Sequence, residues 1–194
     1  MNKKIFKFFL VFFLTFQTES FATNPSDFVQ SAVNRASEIL KQNISKEEKM
    51  QKIELIAEEV VDIKGIAYYS LGSHRKTLSS EKKDEYFKVF KKYFLKSFSS
   101  RLAQYSDPKI QVSSEKKLNE KYTIVSSILL ATEKTPQVKL DWRIVTKDIH
   151  KPLIIDVVIE GVSLARVQRE EFNSIIQNSN IDGLINNLNE FANK

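Results

Sequence analysis

The chain has no cysteine, and its 194 residues include only four glycines, four prolines and two histidines. Without cysteine there is no disulfide, no thiolate nucleophile and no sulfur ligand for zinc. The scarcity of glycine and proline argues against disorder or a repetitive chain, and no internal repeat is present. There is no G-x-S-x-G elbow, P-loop or G-x-G-x-x-G loop, so three common catalytic and nucleotide-binding fingerprints are missing. His74 and His150 are far apart in expected turns and read as solvated loop histidines, not as paired metal ligands. No metal and no catalytic residue is expected.

Hydrophobic runs are short. The longest, Phe8 to Leu14, falls below the roughly 20 residues of a membrane-spanning helix. It follows Lys3, Lys4 and Lys7 and precedes Ser20-Phe21-Ala22, the layout of a secretory signal peptide with small residues before the cut. Residues 1–22 are therefore expected to be an export signal, and 23–194 one domain. Seven of the 14 phenylalanines lie in that leader. The remainder carries 27 basic and 23 acidic residues, a net +4. Its lysines are scattered, so no clustered basic face for nucleic acid is expected. A weak attraction to anionic lipid surfaces fits the charge.

What is present is clear periodicity. Ser26 or Asp27 is expected to cap a helix carrying Phe28, Val29, Ala32, Val33, Ala36, Ile39 and Leu40 on one face. A second helix is expected from Lys46, then a short one from Ile63 to Leu71, ended by Gly72. A long helix after Ser79-Ser80 carries Phe87, Phe90, Phe94 and Phe98. From Pro108 the period becomes two. Strands are expected around Ile110, over Tyr122–Leu130, over Val138–Ile144 and over Ile155–Ile159, with Glu133–Pro136 as a hairpin connection and Thr146–Pro152 as the next turn. Gly161 breaks the last strand, Ser163 caps a further helix, and Gly183–Phe191 forms a final one. Helices, then a meander, then helices point to an α+β fold: a curved, antiparallel four-stranded sheet wrapped by helices.

Two readings of the apolar stripes stay open. Phe90, Phe94 and Phe98 fit plain core as well as a ligand wall, and spacing alone favours core. Arg166 and Arg169 fit a solvated face or an anion-binding pair. Asp141 and Asp156, on neighbouring strands, fit charge partners or an acid/base pair of the kind found in cone-shaped isomerases. The residues alone thus support an exported, mildly basic, non-enzymatic domain without naming a ligand.

Four segments in order resemble the MlaC family of toluene-tolerance or organic-solvent-resistance periplasmic proteins. These are "SLG" at Ser70–Gly72 with "EYFKVFKKYF" at Glu85–Phe94, "LDWR" at Leu140–Arg143, "DVVIEGVSL" at Asp156–Leu164, and "NIDGL" at Asn180–Leu184. His74, Arg75 and Pro152 depart from the pattern, standing where the family tends to have aromatics. The resemblance implies an NTF2-like cone with extra helices around an apolar cavity. It also implies a periplasmic phospholipid carrier that maintains outer-membrane lipid asymmetry. The partners implied are an inner-membrane ABC-type complex with a ring-forming lipid-binding subunit and an outer-membrane lipoprotein–porin complex. The cargo is phospholipid, with no cofactor. The expected tail-contacting residues are Phe90, Phe94, Phe98, Leu140, Trp142, Ile155, Val157, Ile159, Val162 and Leu164, with Arg143 and Arg169 near the phosphate. Isomerase-type enzyme and non-lipid adaptor are the alternatives.

Overall fold

Asn24, with Pro25 in the first helical turn, starts the described chain by capping a helix: its Oδ1 accepts the N–H groups of Ser26 and Asp27. The computed structural model describes residues 24–132, 136–148 and 150–194. The expected export signal and most of the expected Glu133–Pro136 connection lie outside these residues. The cap is thus Asn24 rather than Ser26 or Asp27, because the fixed φ of Pro25 suits the first turn and puts the capping position one residue earlier.

Among the described residues there are five helices and five strands: α1 (Pro25–Lys41), α2 (Lys46–Val60), α3 (Ile63–Ser70), α4 (Ser80–Leu102), β1 (Ile110–Asn119), β2 (Tyr122–Leu129), β3 (Val138–Val145), β4 (Leu153–Ile159), β5 (Val162–Ser163) and α5 (Leu164–Asn193). A single 3₁₀ turn, His74–Lys76, joins α3 to α4. Ser45 and Glu48 form a reciprocal capping box on α2. Ser79 and Ser163 cap α4 and α5. The break expected before Gly183 is a kink inside α5 at Asn180 (φ 56°), whose Oδ1 accepts the N–H groups of Asp182 and Gly183 and so caps the last segment.

The strands form one open antiparallel meander in chain order. It has five strands rather than four. Beyond Ile159, a two-residue turn with Glu160 at φ 47° and Gly161 at φ 83° folds Val162 and Ser163 back onto β4. Two positive φ values in a two-residue loop are the signature of a type I′ turn.

Register decides which side chains share a face. Val125 pairs with Trp142 and Ser127 with Leu140; Trp142 in turn pairs with Val157 and Leu140 with Ile159. A bulge at Arg143/Ile144 then pairs Ile144 with Ile154, leaving Ile155 unmatched. The face carrying Val125, Ile144 and Ile154 meets the helices. There a single core gathers Val29 and Val33 from α1, Ile56 and Val60 from α2, Ala67 from α3, Tyr86 and Phe90 from α4, and Phe172 and Leu184 from α5. The link between α2 and α3 is tied to the sheet by a parallel bridge, Val61 to Ile154, with the Asp62 N–H donating to the Ile154 carbonyl at 2.9 Å.

β1 is an edge strand, and α1 covers the start of its outer side. The Gln30 amide donates to the Ile110 carbonyl at 3.3 Å and accepts the Val112 N–H at 3.1 Å. Ser26 holds Glu115 through its N–H and hydroxyl. No helix among the described residues is long and apolar enough to cross a membrane.

Candidate functional site

Phe90 is the hub of an aromatic cluster. Its ring lies 5.7 Å from Tyr86, 5.9 Å from Phe94, 6.2 Å from Tyr93 and 6.1 Å, edge-on, from Phe172. Phe90 and Tyr86 are fully buried. The Tyr86 hydroxyl donates to the Ala67 carbonyl and pairs with the buried Ser70 hydroxyl at 2.9 Å. Burial pushes its ionisation well above the ordinary phenol range. This end of the core is closed and fully satisfied.

Further along α4 the packing opens. Phe94 and Phe98 stack at 5.8 Å with nearly parallel rings, and both stay half-buried although they pack against the core. Trp142 and Val157, paired across β3 and β4, have the same status. The Trp142 indole N–H is satisfied at 2.8 Å by the hydroxyl of Ser127, itself fully buried. The ring therefore offers only apolar surface outward. Phe94 and Phe98 on α4 and Trp142 and Val157 on the sheet are thus half-covered apolar side chains that border one core.

The ten expected wall residues divide. Phe90 and Leu140 are buried. Phe94, Phe98, Trp142, Val157 and Ile159 are half-buried, and register places the last three, with Leu140, on the helix-facing side. Ile155 sits in the bulge, outside the paired register. Val162 and Leu164 are 47% and 45% exposed at the β5–α5 corner, with Val167 at 43% beside them. That corner is an uncovered aliphatic edge, not part of the closed core.

The two arginines do not meet. Arg143 points its guanidinium at the Asp156 carboxylate, 3.3 Å away. Asp156 is buried and also accepts the Ser163 hydroxyl at 2.6 Å and the Ala165 N–H at 2.9 Å. Asp141 accepts the Ser126 hydroxyl at 2.6 Å and lies 3.6 Å from the Lys139 ammonium. Both strand carboxylates are thus engaged with neighbours. Arg169 instead lines a cleft of about 360 Å³ with Tyr69, Gly72, Ser73, Arg166, Glu170 and Asn173. An adjoining space of about 340 Å³ adds Arg75 and Lys76.

Local sequence builds this cleft. Gly72, at φ 56°, ends α3 and brings its backbone against Arg169; a Cβ there would lie 3.0 Å from the Arg169 Nε. The guanidinium lies over the Tyr69 ring, 5.3 Å from its centre. Arg166, Arg169, Glu170 and Asn173 follow helical spacing on one face of α5, while Ala165 and Phe172 turn into the protein. His74 is not the solvated loop residue expected: it is half-buried, and its Nε2 meets Asn173 Oδ1 at 2.9 Å. His150 lies in the distant β3–β4 turn. Among the described residues, no three His, Cys, Asp or Glu side chains gather into a metal-binding group. Tyr69, Gly72, Ser73 and Lys76 were not singled out by sequence as site residues. The visible signal was an apolar helix ending in Gly72 and followed at once by a basic His-Arg-Lys run.

Comparison with known proteins adds to this geometry. Residues 30–190 match the family model described as MlaC protein. The chain is similar to the "Intermembrane phospholipid transport system binding protein MlaC" of Haemophilus influenzae, at 26% identity over 196 residues, covering 97% of this chain and 91% of that protein. It also resembles the solved phospholipid-binding protein from Ralstonia solanacearum in complex with a phospholipid. The TM-score is 0.74 at 16% identity, covering 88% of this chain and 97% of the other. That last likeness is one of fold.

Proposed function

We propose, from the premise that the chain belongs to the MlaC family, that it is a periplasmic phospholipid carrier. It takes acyl tails between the helix-facing side of the sheet and α4. The supporting observation is that Phe94 and Phe98 on α4 and Trp142 and Val157 on the sheet all pack on the core yet stay half-uncovered. Leu140, Ile159 and Phe90 extend the same wall inward, and Ile155, Val162 and Leu164 belong to its rim. In this reading the sheet and helices form a cone-like enclosure, and helix movement widens it as lipid enters.

Energetics explain why such a carrier is needed. Two acyl chains hold roughly 30 methylenes, and exposing them to water costs on the order of 20 kcal/mol. Unassisted passage between membranes is therefore negligible, whereas a dry cleft offsets that cost. The headgroup can stay wet. Of the two arginines, Arg169 is proposed for the phosphate, since Arg143 is already matched by Asp156. No residue is assigned covalent chemistry. Residues 1–22 would direct export. The docking partners would be an inner-membrane ABC-type complex with a ring-forming lipid-binding subunit and an outer-membrane lipoprotein–porin complex. Transfer between them follows from relative lipid affinity at each docked state.

Native mass spectrometry of detergent-free protein tests the reading. About one phospholipid per chain is expected. A lipid-free protein that also takes up none from vesicles would overturn it.

A further inference from the structure

The cleft at Gly72 carries four cationic side chains, Arg75, Lys76, Arg166 and Arg169, against the single carboxylate of Glu170. Arg166 lies 3.8 Å from Glu170. Among the described residues, no carboxylate comes within 4 Å of the other three cations. Among the described residues Arg169 has no hydrogen-bond acceptor, and its guanidinium lies over the Tyr69 ring with the Gly72 backbone close by. A fixed guanidinium with free donors is suited to the paired oxygens of a phosphate. Ser73 also lines the cleft.

What the cleft lacks is equally informative. A choline or ethanolamine ammonium would need a carboxylate or an open aromatic face. Glu170, the one carboxylate of the lining, already faces Arg166, and Arg169 lies over the Tyr69 ring. The lining thus has excess positive charge.

We infer that this cleft binds a phosphate group bearing no cationic substituent, such as the headgroup of an anionic phospholipid or a free phosphate ester. The headgroup source rests on the carrier reading; the phosphate chemistry does not. Selectivity arises because an anionic headgroup meets an uncompensated positive field, while a zwitterionic one brings its own ammonium into that field. Arg75 and Lys76 enlarge the field at the mouth, and Arg169 gives direction at its centre.

Two measurements on the mature protein decide it. The first is uptake from vesicles of equal phosphatidylglycerol and phosphatidylcholine, with lipid identity read by native mass spectrometry. Phosphatidylglycerol is expected in about fivefold excess, the scale of one charge–charge contact screened by water. The excess should vanish in Arg169→Gln and fall in Arg75→Gln/Lys76→Gln, while Lys109→Gln, outside the cleft, keeps it. The second is calorimetric titration with glycerol 3-phosphate. Binding that Arg169→Gln abolishes, without lipid preference, assigns the site to free phosphate esters. Equal loading of both lipids with no phosphate binding overturns the cleft and leaves the carrier reading standing. No lipid loading at all defeats the carrier reading, and the titration alone then decides the cleft.

Discussion

The Asp156 carboxylate and the Ser163 hydroxyl meet at 2.6 Å beneath the first turn of α5, joining the last long strand to the helix that follows it. The other carboxylate oxygen takes the Ala165 N–H, and Ser163 Oγ in turn accepts the Arg166 N–H. A buried anion at a helix N-terminus is favoured by the helix dipole. It satisfies amides that otherwise lack partners.

Asp156→Ala is therefore expected to cost about 3 kcal/mol, since it strands buried donors and leaves Arg143 without its partner. Asp156→Asn retains acceptors on one side and should cost roughly half as much. Urea denaturation midpoints measure both. A change within about 0.5 kcal/mol of the parent would show that these contacts carry no net stability.

Alkaline stability should depend on Tyr86. Its folded ionisation is raised above the ordinary value of about 10, by burial first of all. The unfolded chain releases that proton near pH 10, whereas the folded chain holds it. The contribution is thus complete below pH 10 and is lost progressively above it. Denaturation at pH 8 and pH 10.5 should show a steeper decline for the parent than for Tyr86→Phe. The variant is the less stable at pH 8, having lost the Ser70 and Ala67 hydrogen bonds.

Gly72→Ala should destabilise the protein by about 1 kcal/mol through the left-handed backbone alone. It also displaces the Arg169 guanidinium, which a Cβ would approach to 3.0 Å. Gly161→Ala carries the same backbone strain, but its Cβ would meet nothing within 4 Å. Thermal melts should therefore shift for both, while anion binding by calorimetry weakens for Gly72→Ala only.

Val157→Trp places a large ring beside Trp142 on the sheet. Lipid per chain, read by native mass spectrometry, should fall severalfold, with a stability change under about 3 kcal/mol. Unchanged loading would move the tail site elsewhere.

Much of this was legible from residue pattern. Alternation marked the strand over Val138–Ile144, and the helix start after Ser79-Ser80 and the stop at Gly72 followed from side-chain chemistry. Pattern could not say whether Trp142 and Val157 share a face, because that depends on register, and register rests on contacts between separate strands. It also treated Ile155 like its alternating neighbours, since a bulge at Arg143/Ile144 leaves no mark in hydrophobic periodicity. The fifth strand was hidden by its length of two residues. The cleft was hidden because Arg169 is distant in sequence from Tyr69 and Arg75 and joins them only when α3 packs on α5.

The Gln30 amide on the edge of β1 has a consequence for how copies of the chain meet. Its oxygen and nitrogen occupy the Val112 N–H and the Ile110 carbonyl, two groups that a neighbouring strand would otherwise use. With Ser26 clamped on Glu115, the first half of this border is closed to edge-to-edge pairing. What stays open is the stretch from Lys116 to Asn119, which begins with two adjacent lysines that repel a like strand. A protein that shows uncovered aliphatic and aromatic surface thus carries, in one glutamine, protection against being drawn into a shared sheet.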